Sequence, residues 1–248
     1  MRKLTTRYSF IILLIISYSC NPVYRASSVQ YKDYPVQNER KDAALQKFLQ
    51  PYADSVNSSM NLVIGELATT LEKRQPEGTL GNFMADAMKA MAEKYYETKV
   101  DGAFINYGGI RLTTMQAGTI TRGKIFELMP FDNIIVLQKV KGTVLKEFLD
   151  HIVGRGGWPV AGITMEIKDK KAVNILIDGK PLDENMTYSI ANSDYVANGG
   201  DYSEMLKVIP QMNKGYLLRD ALIEYVQSFT KRGQPIMATI QNRVKNAQ

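Results

Sequence analysis

Five short stretches leave this chain few ways to fold: VDGAFIN (100–106), NIIVLQKV (133–140), AGITMEIK (161–168), KAVNILID (171–178) and TYSIAN (187–192). Several are nearly continuous apolar runs. A strand without alternation is apolar on both faces, so something must cover both. ITMEIK alternates instead, as a half-exposed strand does. Amphipathic helices can supply the cover. After Thr79, which reads as an N-cap, Leu80, Phe83, Met84, Ala87, Met88, Met91 and Tyr95 recur at i, i+3, i+4 spacing. Val144, Leu145, Phe148, Leu149 and Ile152 repeat the pattern after Gly142, and Leu217, Leu218, Ala221, Leu222, Tyr225, Val226 and Phe229 repeat it after Gly215. The methionines of the first stripe read as core packing. Helices and strands interleave without strict βαβ order, so the expected class is α+β, with layered mixed β-sheets and helices outside.

The first twenty residues stand apart from that body. MRKLTTRYSF carries Arg2, Lys3 and Arg7, IILLII is a short apolar core, and SYSC ends in the chain's single cysteine, Cys20. This is the pattern of an export signal, with an apolar core too short to span a bilayer as a mature helix. It resembles a bacterial lipoprotein signal, in which Cys20 would become the lipid-bearing first residue, although Ser17 stands where that pattern favours leucine. The expectation is an exported, lipid-anchored protein of the cell envelope. Residues 21–38, NPVYRASSVQYKDYPVQN, are polar, hold two prolines and show no period, which suits a tether. Residues 39–248 are left as the folded domain. Within it, ERKDAALQKFLQPYADSV has helical spacing, with Pro51 expected to kink or end the helix, and NLVIGELATTL reads as a strand. Removing residues 1–19 takes three basic and no acidic side chains, so the net charge falls from +6 to +3. A surface for polymeric nucleic acid is therefore not implied.

The chemistry that this chain lacks is informative. Its one histidine, His151, lies on an apolar stripe, and there is no HExxH, no CxxC and no histidine cluster. No catalytic residue and no metal site are expected in it, and His151 reads as a core residue. What remains is three turns at strand ends. INYGGIR places Asn106, two glycines free to adopt positive φ, and then Arg111, a combination of backbone N–H groups and a guanidinium fork suited to phosphate. It equally describes an ordinary turn followed by a solvated arginine. MPFDN puts Phe131 at a loop–strand junction, where an aromatic can also simply cap a core. NSDYVANGGDY offers Tyr195 and then Asp201 behind a glycine turn, able to accept hydrogen bonds from a sugar diol. Taken together, Phe131 and Tyr195 could sandwich a flat base, Asp201 hold ribose hydroxyls and Arg111 a phosphate.

TLGNFMADAM (79–88), INYGGIR (105–111), GTITRGKIFELMPFDN (118–133), VKGTVLKEFLDH (140–151) and YVANGGD (195–201) resemble, in order and spacing, the C-terminal domain of the 5'-nucleotidase family across roughly residues 40–245. The resemblance implies the fold of that domain, which binds the nucleotide while a separate N-terminal metallophosphoesterase domain holds two divalent metals and hydrolyses. It gives Phe131 and Tyr195 the base-stacking positions, the second commonly phenylalanine. Asp201 takes the ribose position, Asn106, Gly109 and Arg111 the phosphate-side turn, and Asn133 the base edge; Gly162 matches a glycine near the base. Tyr107 stands where the family often has glycine, and upstream of LGN, where arginines are frequent, Arg74 and Pro76 occur. No DxH or GNH[DE] motif of the metal domain is found in the sequence. The implied role is nucleotide or nucleoside recognition beside a separate metallophosphoesterase chain. A stand-alone nucleotide-binding lipoprotein and an interaction protein with a degenerate pocket are the alternatives.

Overall fold

The computed structural model describes residues 42–247 together with 28, 30–32 and 34; the signal, Cys20 and most of the tether lie outside the described residues. The chain divides after Phe48 into two units, and every strand belongs to the second. Helix α1 (Ala43–Met60) starts at Asp42, whose carboxylate accepts from the N–H groups of Ala44 and Leu45 at 2.9 and 3.1 Å. Of the two outcomes expected at Pro51, a kink or an end, the helix does not end there: it runs on to Met60. None of its residues is buried. No helix among the described residues is long and apolar enough to cross a membrane.

Strands β1 (Val63–Leu67) and β2 (Leu71–Glu72) lead to α2 (Thr79–Tyr96). Gly78 rather than Thr79 is the N-cap of α2, since the Thr79 hydroxyl is engaged elsewhere, accepting from Glu72 N–H at 2.8 Å. The α2 stripe is buried from Leu80 to Met91, but at its end Tyr96, not Tyr95, turns inward. Tyr96 donates its hydroxyl to the Ile135 carbonyl, while Tyr95 stacks on Tyr216. Next come β3 (Gly102–Phe104), β4 (Thr114–Met115), β5 (Gly118–Thr121), α3 (Arg122–Leu128), β6 (Ile134–Lys141) and α4 (Gly142–Gly154). Strands β7 (Val160–Ala161), β8 (Ile163–Lys168), β9 (Lys171–Ile177), β10 (Lys180–Pro181) and β11 (Thr187–Ser193) follow. Two short helices, α5 (Asp194–Ala197) and α6 (Glu204–Lys207), precede β12 (Gln211–Leu217), α7 (Leu218–Lys231) and β13 (Val244–Asn246).

The central sheet has the order β12-β6-β11-β3-β7, and a second sheet the order β10-β9-β8-β13. Successive residues of the central strands point to opposite faces. Ala103, Ile135, Leu137 and Ala191 join one apolar cluster with α2 and α7; Phe104, Val140 and Ile190 join another with α4, β8 and β9. Both faces are covered, which is why these strands read as apolar runs. The fold is the α+β arrangement that the sequence leads one to expect.

The register explains where the three turns go. β3 and β11 are parallel neighbours, with Gly102 opposite Ile190, so they end on the same side of the sheet. β6 runs antiparallel to β11, with Ile135 opposite Ser193, so it begins where the other two end. The segments 105–111 after β3, 129–133 before β6 and 194–201 after β11 therefore share one end of the sheet.

Candidate functional site

At that end lies a cavity of about 360 Å³ lined by Asn106, Gly108, Gly109, Arg111, Phe131, Asn133, Tyr195 and Asp201. The seven candidate binding residues thus meet in one place, with Gly108 beside them.

In the first turn, Tyr107–Gly109 form a single 3-10 turn. Both glycines are free to adopt positive φ, but neither does. Gly109 is required for a different reason: a Cβ there would lie 2.6 Å from Asn106 Oδ1. Asn106 is buried, and its Nδ2 donates to Asp201 Oδ2 at 2.8 Å, tying the first turn to the third. The Arg111 N–H donates to the Leu128 carbonyl at 3.0 Å, fixing its backbone against the end of α3. Its guanidinium stays exposed, 5.8 Å from the Phe131 ring. Among the described residues no carboxylate forms an ion pair with it.

The second turn is braced from two helices. Arg219 of α7 donates to Asp132 Oδ1 at 2.7 Å and to the Phe131 carbonyl at 3.3 Å, and its guanidinium lies 4.3 Å from the Phe126 ring. The Leu218 N–H donates to the Asn133 carbonyl at 2.8 Å, and the Ile134 N–H to Asp194 Oδ1 at 2.9 Å. The backbone is held while the Phe131 ring is 39% exposed, so this side chain does not cap the core.

The third turn starts where Ser193 caps α5, accepting from the Val196 N–H. Gly200 lets the Tyr195 ring lie across the turn, since a Cβ there would come within 2.6 Å of that ring. The Tyr195 hydroxyl donates to Asp201 Oδ1 and accepts from the Asp201 N–H, each at 3.2 Å. Asp201 keeps lone pairs available beyond those given to Tyr195 and Asn106, because a carboxylate accepts about four hydrogen bonds.

Other residues singled out in the sequence fall elsewhere. Gly162 does not line the cavity; it turns the corner between β7 and β8 with φ 79°, where a Cβ would meet the Asp101 carbonyl at 2.4 Å. Tyr107, which stands where the family often has glycine, does not line the cavity; it packs beside the core cluster around α4. Arg74 is paired with Glu72 at 2.6 Å. The upstream cation that reaches the YGGIR turn is Lys73, which sequence reasoning missed. Its ammonium donates to the Ile110 carbonyl at 2.9 Å and sits 4.1 Å from the centre of the Tyr107 ring. Burial, and then the neighbouring charge of Arg111, hold the Lys73 pKa below the usual lysine value. No motif marks Lys73; only its place just beyond β2 brings it there. His151 also proves relevant, its Nε2 lying 2.8 Å from the Asp201 carbonyl oxygen.

The cavity thus presents two partly exposed aromatic rings, a carboxylate held at fixed geometry, a buried amide and an exposed guanidinium. Aromatic rings can stack on a flat ring, a carboxylate can accept from vicinal hydroxyls, and a guanidinium can hold an anion. Among the described residues no three His, Cys, Asp or Glu side chains converge to hold a metal ion.

Comparison with known proteins shows the family. The chain is 27% identical to a 5'-nucleotidase of Vibrio cholerae over 232 residues and 24% identical to protein UshA of Yersinia enterocolitica over 227 residues. Each match covers 87% of this chain and 41% of the relative, so the chain spans about two fifths of the length of these relatives. Its fold is similar to that of a 5'-nucleotidase precursor from Thermus thermophilus, with a TM-score of 0.72 and 24% identity over 84% of this chain and 44% of that one. The 5'-nucleotidase C-terminal domain matches residues 61–208, a span that includes every side chain lining the cavity, and the chain belongs to that family.

Proposed function

We propose that this chain is the nucleotide-recognition part of a 5'-nucleotidase-type phosphohydrolase system, exported and held at the cell envelope by a lipid on Cys20. One observation carries the reading: residues from three separate turns, each suited to a different part of a nucleotide, line a single cavity. Phe131 and Tyr195 stack on the base, Asn133 meets its edge, Asp201 accepts from the ribose hydroxyls, and Asn106, Gly109 and Arg111 face the phosphate. Hydrolysis belongs to a separate metallophosphoesterase chain, whose two divalent metals supply the activated water; the residues here contribute by orientation. Helix α1 supports such a partner, since it resembles the helix that joins the two domains in complete family members.

Calorimetric titration of residues 21–248 with adenosine, AMP and ribose 5-phosphate tests the binding role. Adenosine and AMP should bind and ribose 5-phosphate should not. Silence with all three would sink the reading. Affinity capture from the native membrane tests the partner. Recovery of a metallophosphoesterase is the expected result, and nucleotide binding without one would instead point to a stand-alone binding lipoprotein.

A further inference from the structure

Asp201 and Tyr202 are successive non-glycine residues in the left-handed region, with φ 51° and 63°. Such backbone is unfavourable for residues bearing a Cβ, and it persists only where the surroundings over-determine it. Four hydrogen bonds hold Asp201. Three of them come from the cavity side: Asn106 to Oδ2, the Tyr195 hydroxyl to Oδ1, and the Asp201 N–H to that same hydroxyl. A ligand entering the cavity meets the same carboxylate, which has lone pairs left for it. The fourth comes from behind the turn, where His151 Nε2 meets the Asp201 carbonyl oxygen at 2.8 Å. A carbonyl can only accept, so Nε2 carries the proton and donates.

His151 is itself well placed. It is half-buried on α4 and meets Trp158 edge-on, with ring centroids 6.3 Å apart and planes at 83°. Trp158 is buried and packs in turn on Phe148, so the imidazole stands on the core and not on a loop. Four residues along, Arg155 places its guanidinium 5.2 Å from the exposed Tyr202 ring. The C-terminal end of α4 therefore grips both strained residues.

We infer that His151 is a positioning residue that aims the Asp201 carboxylate at the ribose hydroxyls, so that selectivity for a vicinal diol is fixed from outside the cavity. This rests on the proposed reading of the cavity as a nucleoside site. It differs from a plain core role in what it leaves untouched. Phe131 is held from α7 and the Tyr195 ring meets Asp201 only through its hydroxyl, so stacking on the base survives the loss of His151 while diol recognition does not.

The test measures adenosine and 2',3'-dideoxyadenosine affinities for the full chain and for His151→Leu and His151→Gln. Hydrogen bonds to a carboxylate should give the parent chain at least about a tenfold preference for adenosine. His151→Leu should reduce that preference to about threefold or less, with dideoxyadenosine affinity changed by no more than about twofold. His151→Gln, whose amide can donate to the same carbonyl, should restore most of it. Amide hydrogen exchange without ligand is the second readout, and His151→Leu should speed exchange at 199–203 while β6 and β11 stay protected. A parent-like preference with parent-like exchange overturns the inference. Equal weakening of both ligands, or lost protection across α4 and β11, shows a merely structural histidine and overturns it as well. If the parent chain binds neither nucleoside, the nucleoside reading falls, and exchange at 199–203 alone then decides whether His151 holds the turn.

Discussion

Phe131 exposes 39% of its surface beside the Arg111 guanidinium, on a backbone held by Arg219 and Leu218. A large apolar ring is presented to water there by rigid support, which suits a site where another flat ring covers it. Stacking of that kind contributes about 1–3 kcal/mol per base. Phe131→Ala should therefore weaken adenosine and AMP by at least about tenfold in calorimetry, and an unchanged affinity would remove the stacking role. Phe131, like Asp201 and Arg111, is readable in the sequence because each closes a turn whose glycines or proline mark it. Lys73 and His151 are not readable, since each reaches the site through a hydrogen bond to a backbone carbonyl, at Ile110 and Asp201, that leaves no spacing in the chain. The strain at Asp201 is hidden for a similar reason. NGGD suggests that the glycines take the unusual backbone, yet of the two only Gly199 does, and Asp201 and Tyr202 take it as well.

Helix α2 shows the opposite case, a motif whose polar residues serve the fold. Glu77, just ahead of it, accepts from the N–H groups of Gln241 and Arg243 at 2.8 and 2.9 Å. Asn82, 1% exposed, donates to Glu77 Oε1 at 2.6 Å and to the Thr239 carbonyl at 2.8 Å, while Asp86 pairs with Arg243. TLGNFMADAM thus fastens residues 239–243 to the start of α2 and contributes nothing to the lining of the cavity. Asn82→Ala removes the donor from the Glu77 carboxylate and from the Thr239 carbonyl, and a hydrogen bond to a charged group contributes about 1.5–3 kcal/mol. Denaturant titration should show that loss with adenosine affinity unchanged within about twofold; a large loss of affinity at retained stability would place Asn82 in the site instead. The apolar periodicity that reveals α2 says nothing of this fastening, which joins residues some 157 positions apart. Strand β12 escapes a sequence reading for a related reason. QMNKGYL is an edge strand, mostly exposed, with Gly215 in a register shift, so it lacks the alternation by which strands are recognised.

Across the whole fold, the cavity sits where the two core clusters meet the same end of the central sheet. The Asn106 turn follows β3, whose Ala103 and Phe104 join different clusters; Phe131 is braced from α7 on one side, and Asp201 from α4 on the other. The sequence discloses the double cover of the sheet, because unbroken apolar strands demand it, but the meeting of the three turns depends on β3 and β11 being parallel and β6 antiparallel, which no local pattern specifies. A ligand that bridges the three turns joins elements packed on both faces, so it should stabilise the folded chain as a whole. Binding to the folded state alone adds RT ln(1 + [L]/Kd), about 2.7 kcal/mol at a hundredfold excess over Kd. For a domain of this size each kcal/mol raises Tm by about 2–4 °C. Adenosine at that excess should thus raise the melting temperature by about 5–11 °C. Phe131→Ala, compared at the same adenosine concentration, should lose about half of that rise, because a tenfold weaker site forfeits about 1.4 kcal/mol. A shift in the variant equal to that of the parent chain would show that adenosine stabilises the protein from some surface other than this cavity.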